Sequence, residues 1–367
     1  MNRFDLRYYL ERAWVIIFPW VSSSLAFVVG GLIILSQGRN PFEAYAALLR
    51  GAFGDLDSIG TTITRAIPLT FTGLAVALAY KGGVFNIGAE GQLLLGGICA
   101  TMVGTSFPNL PTWLHIPLAI GAAALGGAAW AFLPGYLKAK RGLNEVLTTL
   151  MMNYIAVQFI SYMVRGPLQG HPDGHPTSAV IYDTAMLPVI WPEARLPLSA
   201  LIAPLCAVLI FVLMFKTTLG FSLRAVGAND RGARYAGIQV PRTIITTMLI
   251  SGALAGMAGA VEILGIQHRL WETFLIGYGY DGIAVALVGQ LHPFGVLLTA
   301  IFFGALRAGA NAMQVLVRVP VPLVDIIQSL TILFAVAGTA IRIRPRSRAS
   351  KPCGPADPAP GTVLAGQ

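Results

Sequence analysis

The 367-residue chain predicts an all-α, polytopic membrane protein of about ten transmembrane helices. Three observations carry that class. Hydrophobic residues make up 55% of the sequence and charged residues only 11%. A soluble domain carries roughly a quarter charged residues, because its surface faces water. The mean hydropathy is +0.70, and the 41 glycines suit membrane helices, where this residue is enriched. Finally, the apolar residues fall into runs near the roughly 20 residues that cross a bilayer as a helix. Soluble enzyme, disordered chain and disulfide scaffold do not fit this composition.

Taken in order, the expected spans are Val15–Leu35, Thr62–Ala79, Val84–Gly104, Leu114–Pro134, Val146–Val164, Leu198–Phe215, Thr243–Leu264, Gly282–Val288, Pro293–Ala310 and Leu323–Ile341. The first run is uncharged and too long for the apolar core of a signal peptide, so it is a retained span. Gly282–Val288 is too short for a plain crossing and reads as a re-entrant or broken helix. Lys and Arg set the orientation. With the N-terminus inside, 17 basic residues fall in cytoplasmic segments and 7 outside, Arg307 lying within a span. Both termini are therefore expected in the cytoplasm. Residues 1–13 form an N-terminal cytoplasmic segment, 14–343 the membrane domain, and 344–367 a disordered tail rich in proline and basic residues. The net charge of +9 becomes a topology signal, with no nucleic-acid partner.

Two outer loops are long. Ser36–Gly60 contains a short surface helix over Phe42–Ala52. Arg165–Pro197 is proline-rich and without periodicity. Each is either a partner contact or an ordinary connection.

Catalytic and cofactor motifs are sparse. Cys99, Cys206 and Cys353 form no metal or disulfide spacing, and the five histidines are scattered over loops, so no metal site is expected. Gly277-x-Gly279-x-x-Gly282 matches a dinucleotide fingerprint in letters alone, lacking the strand, helix and acidic residue that would give it function. No P-loop is present, so ATP is not hydrolysed by this chain through that motif.

The informative residues are polar groups inside apolar runs, because hydrocarbon does not solvate them. Asn86, Glu90 and Gln92 interrupt a segment with glycines at 82, 83, 88 and 91. Two readings stand: a broken helix of the kind that builds transporter sites, or a packing kink with interhelical hydrogen bonds. Asn153 lies about two turns into its span, where Glu145 sits at the helix start. Glu262 and Arg307 lie at similar depth near outer span ends, and are expected to form a structural ion pair in preference to contacting substrate. Gly252, Gly256 and Gly259 have the small-residue spacing of close helix packing. The cytoplasmic loop 216–242, with Arg224, Gly227, Asn229, Arg231, Arg234 and Gly237, is either a helix docked on a cytoplasmic protein or one lying on anionic lipid.

Four blocks then carry a resemblance across roughly residues 12–343: Phe85-Asn-Ile-Gly-Ala-Glu-Gly-Gln92, Asn144-Glu-Val-Leu-Thr-Thr-Leu-Met-Met-Asn153-Tyr, Arg224-Ala-Val-Gly-Ala-Asn229, and Gly277–Gly289 continued through Gly304–Gly309. The chain resembles the ABC importer permeases of the nucleoside and simple-sugar branch. Gln290-Leu-His292-Pro293 departs from the Arg/Lys-Leu-Asn-Pro expected in that turn. The resemblance implies a type II importer fold in the inner membrane, and a second permease, commonly a different chain. It further implies cytoplasmic ATPase subunits that bind the ATP, and a periplasmic or lipid-anchored binding protein. This chain would then be a transport subunit and no enzyme, without a cofactor of its own. Arg224, Gly227, Asn229, Arg231, Arg234 and Gly237 become the ATPase-coupling region. Asn86, Glu90, Gln92 and Asn153 become candidates for the substrate pathway. Competing readings are an ion-gradient-driven transporter with Glu90 or Asp325 as proton site, a membrane-embedded enzyme, or an ABC permease for another small solute such as branched-chain amino acids.

Overall fold

A computed structural model describes residues 25–170, 175–274, 277–320 and, in part, 322–334. The terminal segments 1–13 and 344–367, the first residues of the Val15–Leu35 span and much of the Leu323–Ile341 span lie outside the described residues.

The helices follow the apolar runs, with local signals setting their ends. α1 (Leu25–Ser36) turns through Gly38 into α2 (Pro41–Phe53), whose N-cap Asn40 accepts from the Phe42 N–H at 3.0 Å. α3 (Leu56–Lys81) starts on Asp55, which accepts from Ser58 N–H at 2.7 Å, and stops at Gly82-Gly83, the latter at φ 74°. After this break α4 spans Ala89–Ser106 and α5 Thr112–Arg141. Gly142, left-handed at φ 65°, caps α5, and Lys138, Lys140 and Arg141 complement the negative end of its dipole. α6 (Glu145–Arg165) starts on Asn144, with Lys138 paired to Glu145 at 2.8 Å. A hairpin of β1 (Val189–Trp191) and β2 (Leu196–Pro197) precedes α7 (Ser199–Lys216), α8 (Thr218–Ala228) and α9 (Asp230–Tyr235). The chain continues through α10 (Val240–Glu262), α11 (Tyr278–Val288) and α12 (Pro293–Val317).

Six helices among the described residues are long and apolar enough to cross a membrane: α3, α5, α6, α7, α10 with its extension to Gln267, and α12. α4 matches α7 in length but opens on Glu90 and Gln92. The short span expected at Gly282–Val288 is α11, whose 11 residues reach about 16 Å at 1.5 Å each, half of a bilayer core.

Small residues place the core. α10 runs beside α5, α4 and α3. Side-chain carbons added at Gly252, Gly256 or Gly259 would run into the backbones of Gly127, Ala123 and Leu93, so these helices touch main chain to main chain. α3 is buried along most of its length between α10, α11 and α12.

One expectation is sharpened and one changes. The Phe42–Ala52 helix is at the surface, with Phe42 and Leu49 exposed, but its other face is packed: Ala44, Ala47, Leu48 and Ala52 are buried, with Leu48 against Gly309 of α12. The small residues on that face permit the approach. The expected Val84–Gly104 span begins as a loop, and its helix starts only at Ala89. Part of the proline-rich 165–197 connection is also more ordered than its sequence suggests. Its 178–187 stretch runs along the chain after α10 through Ser178 N–H to Leu270 O (2.9 Å), Ile181 to His268 (3.0 Å) and Leu187 to Leu264 (2.8 Å).

Candidate functional site

Two discontinuities, the loop between α3 and α4 and the start of α11, meet in the interior beside the middle of the unbroken α6. Gly82 and Gly83 break α3 and bring Asn86 inward, where it is 1% exposed. Asn86 Nδ2 donates to Gln92 Oε1 at 2.9 Å and to Ser251 Oγ of α10 at 2.8 Å. Its Oδ1 accepts from Gly88 N–H at 3.0 Å and from Gln92 Nε2 at 3.1 Å. The two amides thus pair reciprocally, and the Ser251 hydroxyl donates to the Ala75 carbonyl at 2.7 Å. Asn153 ties α6 to the same place. Its Oδ1 accepts from Gly91 N–H at 2.9 Å, while Nδ2 donates to the Ile87 carbonyl at 3.0 Å and to Tyr280 Oη at 3.1 Å.

Glu90 completes the junction. Its two carboxylate oxygens accept from the backbone N–H groups of Gly277 and Gly279, each at 2.6 Å. These groups open α11, where helical N–H groups lack intrahelical partners and the dipole favours an anion. The glycine pattern that imitates a nucleotide fingerprint has this structural use. Gly277 takes φ 94°, a side-chain carbon at Gly279 would overlap Glu90, and one at Gly282 would overlap Thr72. The anion in the cradle belongs to the chain itself.

A second cluster borders the first. Arg307 of α12 pairs with Asp281, and its guanidinium carbon lies 4.0 Å from the Tyr278 ring centroid. Arg65 Nη1 donates to Tyr278 Oη at 3.4 Å. The ion pair expected between Glu262 and Arg307 is therefore replaced. Arg307 belongs to Asp281, and Glu262, 4% exposed, accepts from Gln267 Nε2 at 3.1 Å. The reason lies after Glu262, where the chain widens to an i→i+5 turn over Ile263–Gln267 and carries Gln267 back onto the carboxylate.

All four pathway candidates are thus together, but as a bonded scaffold. Asn86, Glu90, Gln92 and Asn153 are buried and engaged with one another or with backbone. Ser251, Tyr278, Asp281 and Arg65 were not legible as members. Only the Asp281 position beside the glycines carried a signal.

The 216–242 region forms α8 and α9 with an exposed outer side. Arg231, Arg234 and Gly237 are exposed, Gly237 at φ 82°. Asn229 caps α9 by accepting from Gly232 N–H at 3.0 Å. Arg224 lies 5.1 Å from the Phe215 ring. Gly227 abuts the Lys81 carbonyl and Gly83, so the end of α8 rests on the break that leads to Asn86. Asp325 is exposed.

The comparisons agree with this architecture. A family model described as branched-chain amino acid transport system / permease component matches residues 58–336. A guanosine ABC transporter permease protein of Bacillus subtilis is 42% identical over 336 residues, covering 91% of this chain and 96% of the relative. A glucose ABC transporter permease protein of Haloferax volcanii is 38% identical, covering 87% of this chain and 86% of the relative. A nucleoside ABC transporter permease protein of Lactococcus lactis is 34% identical, covering 92% and 95%. Each organism supplies a second, more distant match, at 26%, 26% and 24% identity over 67%, 68% and 67% of this chain. No solved structure matches. The chain belongs to the permease component family of branched-chain amino acid transport systems, and is a multi-pass, inner-membrane subunit of an ABC transporter.

Proposed function

We propose that this chain is one of two permeases of an ABC importer for nucleosides, with simple sugars as the neighbouring substrate class. The observation that carries the reading is likeness over nearly the full length to permeases named for guanosine, nucleoside and glucose transport. The paired matches in each organism support a heterodimer with a second, divergent permease. In this reading the chain has the type II importer fold, with about ten crossings and both termini cytoplasmic. Cytoplasmic ATPase subunits bind the ATP, and an extracytoplasmic binding protein delivers the solute.

The exposed α8–α9 region, residues 216–242, is the surface for the ATPase. Arg231 and Arg234 offer charge to it, Asn229 and Gly237 shape the turns, and Arg224 and Gly227 seat the helix on the membrane domain. Movement of α8 reaches the Gly82–Gly83 break directly, since Gly227 rests on it. The break is continuous with the Asn86–Gln92 pair and the Glu90 cradle, so a shift of α8 reorients α4 and α11 as alternating access requires.

Proteoliposomes containing the copurified permeases, ATPases and binding protein test the proposal. Uptake of labelled guanosine should require ATP inside and the binding protein outside. Uptake without ATP that collapses with an uncoupler would replace this reading by ion-gradient transport. Arg231→Glu with Arg234→Glu should abolish copurification of the ATPase while the permease still inserts.

A further inference from the structure

α6 has an exposed side of two unlike edges. Ile155, Phe159 and Tyr162 form an apolar edge beside α5, with Trp130, Phe159 and Tyr162 stacked at successive centroid distances of 6.4 Å. Tyr154, Gln158, Ser161 and Arg165 form the other edge, spaced i, i+4, i+7 and i+11 so that they align along the helix. Tyr154 is 62% exposed near the middle of the helix. Gln158 is exposed one turn further on, and no described residue hydrogen-bonds to it.

An amide at that depth does not face hydrocarbon without a partner. The chain leading to α11 flanks the same edge. Glu272 bonds to Ser161 and to both Arg165 nitrogens facing it, and Tyr280 Oη accepts from Asn153, the residue before Tyr154. Tyr280 is itself 39% exposed, although the asparagine that holds it is buried. The buried scaffold therefore anchors an exposed α11 ring, Tyr280, on Asn153, the neighbour in sequence of the exposed Tyr154, with an unbonded amide one turn further along α6.

We infer that Tyr154, Gln158 and Tyr280 line the aqueous translocation pathway and contact the base of the passing nucleoside. The assignment of a base rests on the function proposed above. The rings offer π faces for stacking and the carboxamide offers both a donor and an acceptor to a base edge. A hexose would use the amide and pack its C–H face on the rings as well, so the choice of a base comes from the proposed function alone. The residues that select solute inside the membrane are thus a step away from Asn86, Glu90, Gln92 and Asn153, which position them.

The test uses the assembled importer with Cys99, Cys206 and Cys353 replaced by serine. Tyr154→Cys, Gln158→Cys and Tyr280→Cys should react with a membrane-impermeant thiol reagent. Ile155→Cys and Phe159→Cys should stay unreacted. Equal reaction on both edges, or reaction confined to Ile155→Cys and Phe159→Cys, would overturn the pathway assignment whatever the solute is. In proteoliposomes, Gln158→Leu should lower guanosine uptake about tenfold, the loss of one hydrogen bond of about 1.4 kcal/mol. Binding-protein-stimulated ATP hydrolysis should persist. Unchanged guanosine uptake in Gln158→Leu and Tyr280→Leu would overturn base contact. Wild-type transport of glucose but not guanosine would overturn the substrate reading, leaving the labelling pattern to judge the pathway.

Discussion

Glu90 and Gly279 meet with a carboxylate oxygen on a backbone N–H at 2.6 Å, joining the first turn of α4 to the first turn of α11. The second oxygen binds Gly277 N–H at the same distance. Removing the acceptor leaves one buried and one half-buried donor without partners, so Glu90→Ala should cost roughly 2 kcal/mol. Gly279→Ala should be at least as damaging, because the added carbon overlaps Glu90. Thermal unfolding of the purified complex in detergent checks both. A melting point unmoved by either change would contradict the cradle.

Asn86 and Gln92 form a reciprocal amide pair, so their truncations should not add. Asn86→Ala strands Gly88 N–H and Ser251 as well as Gln92, and should cost more than Gln92→Ala. A double-mutant cycle on unfolding free energy should give a coupling of about 1 kcal/mol.

Arg307 distinguishes its true partner by the same method. Arg307→Ala alone leaves the partly buried Asp281 carboxylate uncompensated, and should be worse than Arg307→Ala combined with Asp281→Ala. Arg307→Ala and Glu262→Ala, which share no bond, should couple less strongly than Arg307→Ala and Asp281→Ala do. The reverse pattern would restore the Glu262 pairing.

Glu272 gives the connection between α6 and α7 and the chain leading to α11 a pH dependence. Its hydrogen bonds from Ser161 and then Arg165 hold the carboxyl below its ordinary value of 4.5. A lowered folded-state value adds stability that is present above the ordinary value and lost as pH falls through the lowered one. Hydrogen exchange around Ser178, Ile181 and His268 should therefore accelerate as pH drops below 4.5, after correction for the intrinsic rate. Glu272→Gln should remove most of that dependence.

The membrane class, the approximate positions of the long helices and part of the polar junction were legible in the chain, because apolar length and buried polarity are local properties. Asn86, Glu90, Gln92 and Asn153 stand out for the same reason: hydrocarbon excludes them wherever they pair. Partner choice is not local. Gln92 and Ser251 claim Asn86 across 165 residues in the latter case, and Glu90 reaches Gly277 across 187. A single widened turn after Glu262 gives that carboxylate to Gln267 and leaves Arg307 to Asp281. The tertiary structure alone decided which polar residues are scaffold and which face outward. Gln158 and Gln92 carry the same carboxamide, but helix packing pairs one with Asn86 and leaves the other unbonded on the edge of α6.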